Sequence, residues 1–517
     1  MNTGAESLVK TLLASDVNVC FANPGTSEMH FVAALDRIPG MRCVLGLFEG
    51  VVTGAADGYA RMADKPAATL LHLGPGLANG IANLHNARKA HTSIVNIVGE
   101  HATEHLQHES PLRSDTKATA SLCSDWVKVA SDPARVAADA AEAVEQARRG
   151  AGKIATLILP ANTAWGAGDE PRAAGSPPPL RKVDEAMLLA AGAALRSGKR
   201  CALMMTGVAL REAGTRIAGR IAQATGARLL AQQSNARVEC GRGRVQVERV
   251  PFAVDQAVAM LADIEVLILL GANPPAAFFK YPDRPSMQTA PACHTLVLAQ
   301  ADDDLMDALA RLEDAVGARG GELALARQET PPLPVPGRLT ADAVMQSLAA
   351  QLPDQAILCD ESVSSGRTLL KFTANAAPHD YLQITGGAIG HGLPMATGAA
   401  IACPGRKVVC LEGDGSGMYT LQALWTQARE QLDVVTIILA NRGYRILQRE
   451  LKEVGIAEAG VQANRMLNLT TPALDWKALA RGMGVEAASA DDAGTFNDLL
   501  RSAIGRKGPF LIEAIID

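Results

Sequence analysis

The sequence has no strong excess of charge of either sign and no long apolar run. Among 517 residues, 49 are Lys or Arg and 54 are Asp or Glu, so the formal net charge is −5. This balance gives no reason to expect nucleic acid or an anionic membrane as a partner. No apolar stretch approaches the length of a membrane span. A composition of 48% apolar and 20% charged residues is typical of soluble globular proteins.

Cysteines are few and show no recognisable pattern. The nine are scattered, odd in number and free of C-x-x-C pairs. Residues 1–6 lack a basic region followed by a long apolar one, so no signal peptide is expected. These features predict a cytoplasmic protein whose cysteines are small core residues.

The length requires more than one hydrophobic core, and we expect three domains. Strands and helices alternate along the chain, which predicts the α/β class with doubly wound parallel sheets. Two stretches rich in proline, residues 167–179 and 330–337, are typical of linkers. The predicted domains therefore cover residues 1–170, 180–334 and 338–517.

The segment 407–444 has the pattern of a strand, a loop, a helix, a second strand and a second loop. Two apolar runs without period, 407–411 and 434–440, predict strands buried on both faces. Glu-Gly-Asp-Gly-Ser-Gly follows the first run, and Asn441 follows the second. The two strands of a βαβ unit are parallel, so both loops are expected at the same carboxyl edge of the sheet.

This arrangement places the Asp414 carboxylate and the Asn441 amide oxygen on facing loops. Both are hard oxygen ligands that suit Mg²⁺ or Ca²⁺, and Mg²⁺ commonly completes its shell with phosphate oxygens. Gly413 and Gly415 allow backbone N–H groups to approach such phosphates. The loop lacks G-x-G-x-x-G, and an Asp in its middle would repel a bare pyrophosphate unless a metal lies between them. The pattern predicts a metal–diphosphate site.

Gly-Asp-Gly-Ser followed by a later Asn resembles the signature of thiamine diphosphate (ThDP) enzymes. The family usually has Asn-Asn at the second position, where this chain has Ala440-Asn441. The resemblance implies Mg²⁺ held by Asp414, Asn441 and the Gly443 carbonyl, bridging the cofactor diphosphate. It also implies a pyrimidine-binding first domain, a Rossmann-like central domain and a diphosphate-binding third domain.

Phe48 begins F-E-G-x-x-x-G-A-A-D-G-Y-A-R, which resembles the segment holding the cofactor-activating Glu of benzoylformate decarboxylase and acetolactate synthase. The resemblance assigns that catalytic role to Glu49. A carboxylate removed from water resists ionisation, so it can hold a proton and share it with the cofactor's pyrimidine ring.

His72 falls where benzoylformate decarboxylase has an active-site histidine, and we predict a catalytic role for it. The Gly-rich segment 73–80, expected to be a loop, is more similar to acetolactate synthase. A second histidine of benzoylformate decarboxylase is replaced here by Phe279 or Lys280. Five residues are predicted to line the substrate pocket: Thr26, Glu100, Lys280, Leu447 and Glu450.

The same resemblance implies further cofactor contacts. The Gly387 carbonyl would accept from the cofactor's amino group, and Ile389 would be the apolar wedge that holds the cofactor bent. The full predicted set is Asn23, Pro24, Gly25, Gly76, Asn79, Ser362, Ser364, Gly387, Ile389, Gly413, Asp414, Gly415, Ser416, Tyr444 and Ile446. FAD, which some relatives bind in the central domain, is not expected. Pro274 and Pro275 stand where a phosphate would need N–H donors.

The resemblance implies a homodimer or homotetramer whose active sites form between subunits. The expected activity is decarboxylation of a 2-oxo acid with transfer of the remaining fragment to a second carbonyl, as in acetolactate synthase. Four alternatives stay open. They are protonation as in benzoylformate decarboxylase, cleavage of an acyloin or diketone, a flavin oxidase similar to pyruvate oxidase, and a non-catalytic cofactor-binding paralogue.

Overall fold

A six-stranded parallel sheet forms the first part of the computed structural model, which describes residues 2–516. Met1 and Asp517, the outer ends of two predicted domains, lie outside the described residues. The strands of this first sheet are β1 Val19–Asn23, β2 Arg42–Leu45, β3 Ala67–Leu71, β4 Ile94–Glu100, β5 Trp126–Val129 and β6 Ile154–Pro160. Their spatial order is β2-β1-β3-β4-β6-β5. Its helices are α1 Gly4–Ala14, α2 Met29–Arg37, α3 Glu49–Ala63, α4 Leu73–Lys89, α5 Thr116–Ser121, α6 Val136–Ala147 and α7 Ala161–Trp165.

The order of this sheet reverses between β1 and β3, because the chain moves from β1 outward to β2 and then returns to pair β3 with the other side of β1. In α/β sheets, ligands bind outside the carboxyl ends of the strands at such a point. The residues that follow β1 and β3 therefore face the expected ligand position.

The central part contains a five-stranded sheet in the order β10-β8-β7-β11-β12. The strands here are β7 Cys201–Met205, β8 Arg228–Ala231, β9 Val238–Cys240, β10 Glu248–Arg249, β11 Val266–Leu270 and β12 His294–Ala299. The helices are α8 Glu185–Leu195, α9 Glu212–Thr225, α10 Val254–Leu261 and α11 Leu305–Ala315. Strand β9 is not part of this five-stranded sheet and belongs to the third sheet.

The third sheet has seven strands in the order β17-β18-β16-β15-β13-β14-β9. Its own strands are β13 Ala356–Glu361, β14 His379–Gln383, β15 Val408–Gly413, β16 Val434–Ala440, β17 Glu486–Ala490 and β18 Phe510–Ile515. The helices are α12 Ala341–Gln351, α13 Leu369–Thr373, α14 Gly392–Ala402, α15 Ala423–Arg429, α16 Arg445–Glu453, α17 Val461–Leu467, α18 Trp476–Gly482 and α19 Ala493–Gly505.

The expected α/β class with parallel sheets is confirmed, with one correction. Strand β9 pairs with β14 in the antiparallel direction, so the third sheet is mixed. Its three residues carry too little periodicity to reveal this pairing, which depends on the packing of the central part against the third. The switch point of the third sheet lies between β13 and β15, which pair directly.

The first and third sheets share one hydrophobic core through helices α3 and α14. These helices pack closely because glycines face the opposing backbone. A Cβ added at Gly58 would lie 2.1 Å from the Met395 carbonyl oxygen, and one at Gly398 would lie 1.8 Å from the Ala55 carbonyl oxygen. Within residues 2–516, no helix is both long enough and apolar enough to cross a membrane.

Candidate active site

Glu49 is the first residue of α3 and is buried, with 7% of its surface exposed. Asn79 Nδ2, on α4, donates to Glu49 Oε2 at 3.0 Å. A Cβ added at Gly76 would lie 2.8 Å from Glu49 Oε1. A larger residue at position 76 would therefore displace this carboxylate, and the predicted residues Gly76 and Asn79 both border it.

The segment 73–80 was expected to be a loop. It forms instead the first two turns of α4. Its glycines suggested irregular backbone. They are instead tolerated in a helix because neighbouring side chains fill the space beside them. A Cβ at Gly74 would lie 1.9 Å from Ser114 Oγ, and one at Gly80 would lie 2.8 Å from Thr53 Cγ2. This close packing is a tertiary feature that local sequence does not reveal.

His72 immediately precedes α4 and its side chain is 20% exposed. Its Nδ1 lies 2.7 Å from Oε2 of Glu28, a buried residue that was not predicted from the sequence. Gly25 borders the ring, since an added Cβ there would lie 2.2 Å from His72 Nδ1. The structure thus brings the predicted Gly25 and His72 together at the switch point of the first sheet.

Other predicted residues of the first domain lie at the same sheet edge. Asn23 ends β1 and Pro24 follows it, both half-buried, whereas Thr26 is exposed in a 3₁₀ turn. Glu100 ends β4, is buried, and accepts the backbone N–H of His101 at 2.9 Å.

Asp414 and Asn441 follow two adjacent strands, as the βαβ pattern predicts. Gly413 at the end of β15 pairs with Leu439 of β16 in parallel register. Asp414 is 4% exposed, and it accepts the backbone N–H of Arg442 at 2.6 Å and of Gly415 at 2.9 Å. Burial raises the pKa of Asp414, although these N–H groups oppose the shift. Burial disfavours the ionised form of a carboxylate, and a bound cation stabilises that form.

The neighbouring residues fit a metal with a diphosphate. Asn441 Oδ1 accepts the Gly443 N–H at 3.1 Å, so the amide oxygen lies within this loop. A Cβ at Gly415 would lie 2.6 Å from Cε1 of Tyr444, so the backbone there is closely confined. Among residues 2–516, no cluster of three His, Cys, Asp or Glu side chains could hold a metal. A cation bound by Asp414 and Asn441 would therefore take its other ligands from the protein backbone, phosphate or water.

The serines that follow β13 make different hydrogen bonds from one another. Ser362 N donates to Asp360 Oδ1 at 2.9 Å, and its hydroxyl donates to the same atom. Asn441 Nδ2 donates to the hydroxyl of Ser365 at 3.3 Å, whereas the predicted Ser364 is half-buried nearby in sequence. Ser365 is thus a site neighbour that the resemblance did not select.

Two buried carboxyl groups, Glu361 and Glu412, directly precede the predicted cofactor contacts Ser362 and Gly413 and were not predicted from the sequence. They are register partners at the ends of β13 and β15. Glu361 accepts the backbone N–H groups of Gly390 and His391, each at 2.6 Å. The Ser416 hydroxyl donates to Glu412. Burial raises the pKa of Glu361 to about 7 and that of Glu412 well above its ordinary value, so this pair retains a proton near neutral pH.

The Gly387 and Ile389 backbone is held from the first domain. Asn86 Oδ1 accepts the N–H groups of Gly386 and Ala388, each at 3.2 Å. Gly387 has φ +77°, and an added Cβ would lie 2.9 Å from Cζ of Phe278. Ile389 is half-buried. Phe278 of the central part is therefore a further neighbour of the predicted cofactor contact.

The remaining predicted pocket residues lie where the central part meets α16. Tyr281 Oη donates to Glu450 Oε2 at 2.7 Å, and burial together with this bond raises the pKa of Tyr281 to about 12. Lys280 Nζ donates to the Arg284 carbonyl. On α16, Leu447 is exposed and Ile446 is half-buried.

The two groups of site residues are joined through Asn83. Its Nδ2 donates to the Gly50 carbonyl at 2.8 Å and to the Gly390 carbonyl at 3.1 Å. Within the described residues of one chain, no hydrogen bond or ion pair joins the Glu49 side chain to Asp414 or Asn441. One chain therefore presents the Glu49 carboxylate at the edge of the first sheet and the Asp414 and Asn441 side chains at the edge of the third.

These features define an α/β protein in which buried carboxylates lie at two sheet edges, Glu49 at the first sheet and Asp414 at the third. The model of the thiamine pyrophosphate enzyme N-terminal TPP binding domain matches residues 2–119, and that of the C-terminal TPP binding domain matches residues 364–514. The chain belongs to the thiamine pyrophosphate enzyme family.

Relatives span the whole chain. The chain is 47% identical over 514 residues to the Mycobacterium tuberculosis protein named "Putative acetolactate synthase large subunit IlvX", covering 99% of both chains. It is 28% identical over 547 residues to benzoylformate decarboxylase of Pseudomonas aeruginosa, covering 99% of this chain and 98% of that one. A Rhodococcus jostii RHA1 ThDP-dependent 4-hydroxybenzoylformate decarboxylase shares the fold, with a TM-score of 0.85 at 23% identity over 100% of both chains. The chain is thus an acetolactate synthase-like and benzoylformate decarboxylase-like ThDP enzyme.

Proposed function

We propose that this enzyme uses ThDP and Mg²⁺ to decarboxylate a 2-oxo acid and to join the remaining fragment to a second carbonyl, as its acetolactate synthase-like sequence suggests. The observation that carries the proposal is the buried Glu49 carboxylate, which has one amide donor and a closely packed glycine beside it. A carboxyl group in this setting can hold a proton against a nitrogen of the cofactor ring.

Asp414, Asn441 and the Gly443 carbonyl would hold the metal, and the N–H groups of the glycine-rich loop would hold the diphosphate. The donor set supports this assignment because it offers only oxygen ligands and a single carboxylate. Gly387 and Ile389 would fix the orientation of the cofactor. When bound, the cofactor supplies the nucleophilic carbon and accepts the electron pair left by CO₂.

The chain's own residues then control protons and water. One carboxyl oxygen of Glu49 is free to exchange a proton with a bound ring, while Asn79 Nδ2 orients the other oxygen at 3.0 Å. Burial around Glu49 restricts water, which strengthens each electrostatic contact made there. His72 lies on the same edge of the first sheet and can exchange a proton with bound substrate.

A second candidate is simple decarboxylation with release of an aldehyde, as in benzoylformate decarboxylase. The contact between His72 and the buried Glu28 favours it, because aldehyde release requires a proton donor at the substrate carbon. The second histidine of that enzyme is missing, so a relay through two histidines is not proposed.

We also propose a homodimer or homotetramer in which Glu49 of one subunit faces Asp414 of another. The support is that these two groups are not joined within the described part of one chain. The proposed location is the cytoplasm, and all nine cysteines, which lie in the described residues, are free thiols.

The test is CO₂ release by the purified protein with ThDP and Mg²⁺ on pyruvate, 2-oxobutanoate and benzoylformate, with analysis of the products. An acetolactate-type product supports carboligation, and an aldehyde supports the second candidate. Absence of CO₂ from every acid, with cofactor binding demonstrated by calorimetry, would contradict both and favour cleavage of an acyloin or a non-catalytic role.

A further inference from the structure

Glu28 is a buried carboxylate at the switch point of the first sheet, where ligands are expected. It lies in the 3₁₀ turn after β1 and is 3% exposed. Buried carboxylates are rare without a partner. An added Cβ at Gly99, near the end of β4, would lie 1.6 Å from Glu28 Oε1, so the side chain occupies space that only glycine leaves open. The fold therefore makes room for this carboxylate.

Three groups contact the carboxylate. The Gly25 N–H donates to Oε2 at 2.8 Å, and the Ser27 hydroxyl donates to Oε1 at 2.6 Å. The third is His72 Nδ1, 2.7 Å from Oε2. An ionised carboxylate accepts hydrogen bonds and donates none. An Nδ1–H imidazole is the neutral tautomer that satisfies the third contact with such a carboxylate, and this tautomer has its lone pair at Nε2.

The histidine so fixed belongs to the same pocket as Glu49. An added Cβ at Gly76 would lie 3.2 Å from Cβ of His72 and 2.8 Å from Oε1 of Glu49. No hydrogen bond to Nε2 of His72 is formed by any residue that the structure describes. The nitrogen with the lone pair is thus the one left for a substrate.

We propose that Glu28 is a positioning residue that holds His72 in the Nδ1–H tautomer and balances its charge when Nε2 takes up a proton. His72 then acts as the acid and base toward bound substrate. It donates the Nε2 proton to the substrate-derived carbon or oxygen and recovers a proton from water. This inference rests on the proposed function for its catalytic consequence, whereas the tautomer is a property of the protein alone.

The first measurement is magic-angle-spinning NMR of ¹⁵N-histidine-labelled full-length protein, with and without ThDP and Mg²⁺. The chain has ten histidines, and the His72 signals are assigned by their loss in His72→Gln. Wild-type protein is expected to carry the His72 proton on Nδ1. In Glu28→Gln the amide nitrogen can donate to Nδ1, so the proton is expected to move to Nε2. Glu28→Asp, which keeps a carboxylate, should retain the wild-type tautomer, and Glu104→Gln, an exposed residue, is the matched control.

The second measurement is steady-state kinetics on whichever acid of the panel reacts. Glu28→Gln is expected to lower kcat by about 10²-fold, the lower end of a general acid–base contribution, with KM changed less than about threefold. Glu28→Asp should recover at least part of this loss, and Glu104→Gln should match wild type. A role in folding alone would not separate kcat from KM in this way.

The outcomes distinguish this inference from the proposed function. An Nε2–H tautomer in wild-type protein would overturn the inference, even if no variant folded. So would an unchanged tautomer in folded Glu28→Gln. A shifted tautomer with unchanged kcat would overturn the catalytic part. If all acids are inert, the proposed function fails, while the tautomer still decides the role of Glu28.

Discussion

Asp57 Oδ2 of the first domain lies 3.0 Å from His391 Nε2 of the third, and both side chains are fully buried. Arg61 Nε also donates to Asp57 at 2.8 Å, and the Arg61 guanidinium donates to the Gln383 carbonyl at 2.6 Å. Burial alone would raise the pKa of Asp57, but Arg61 and His391 outweigh it and hold that pKa well below its usual range. The Asp57–His391 contact and the Arg61–Gln383 hydrogen bond connect the first and third sheets of one chain.

Replacing Asp57 with Asn is expected to destabilise the protein by about 3–5 kcal/mol, because the Arg61 charge stays buried without its partner. Denaturant unfolding followed by circular dichroism measures the change. Asp16→Asn is the control, since that aspartate pairs with Lys65 at the surface, with 69% of its side chain exposed, and should change stability by less than about 1 kcal/mol. An equal loss of stability in Asp57→Asn and Asp16→Asn would show that the buried Asp57–Arg61 pair does not stabilise the fold.

Glu49→Gln is expected to keep cofactor affinity within about threefold and to lower kcat by roughly 10²–10⁴-fold, since a Gln amide cannot hold and return the proton. Calorimetric titration with ThDP and a CO₂ assay measure the two quantities. Asn79→Ala, which removes only the amide donor, should reduce kcat less. Full activity in Glu49→Gln would sink the role assigned to this carboxylate.

Asp414→Ala is expected to remove the Mg²⁺ dependence of ThDP binding and to weaken binding by at least 10²-fold, because the only carboxylate of the proposed metal site is lost. Titration with ThDP at several Mg²⁺ concentrations measures this. Asp498→Ala, at an exposed pair with Arg501, should bind as wild type does. Unchanged Mg²⁺ dependence in Asp414→Ala would place the metal elsewhere.

Co-expression of the Glu49→Gln and Asp414→Ala chains is expected to restore part of the activity that each lacks alone. If active sites form between subunits, one site of the mixed dimer contains both intact residues. Differently tagged chains allow the mixed species to be purified and assayed. Activity no higher than that of either variant would indicate that each site forms within one chain.

Acid is expected to destabilise the protein through His379. This residue is fully buried, and burial lowers its pKa to about 4. An unfolded histidine has its ordinary pKa of about 6.5, so between these values the unfolded state binds more protons. Stability is therefore present above about pH 6.5 and is lost as the pH falls toward 4. Thermal unfolding at a series of pH values measures it.

The control for this pH dependence is a pair of substitutions. Folded His379→Gln should lose stability less steeply between pH 6.5 and 4, because no buried imidazole remains to be protonated. His294→Gln, at an exposed position, should retain the wild-type profile. Identical slopes in all three proteins would show that another group governs the acid transition.

Much of the third domain could be predicted from local sequence. Strand β16 occupies residues 434–440 as expected, and Asp414 and Asn441 follow parallel neighbours. A long apolar run has few alternatives to a buried strand, and a βαβ unit places both loops on one edge. Contacts between segments that are far apart in the sequence were harder to predict. Glu28 shows no feature in the sequence that distinguishes it from an exposed carboxylate, because its partner is 44 residues away.

The sequence by itself determined the α/β class, the placement of Asp414 and Asn441 on adjacent loops and, through resemblance, the ThDP enzyme family. These follow from periodicity, loop composition and motif spacing, which act over short stretches of chain. The tertiary structure decided that residues 73–80 are helical, that β9 pairs with the third sheet, and that Glu28 meets His72. Such features depend on how much space and how many hydrogen-bond partners distant segments provide, which no local pattern specifies.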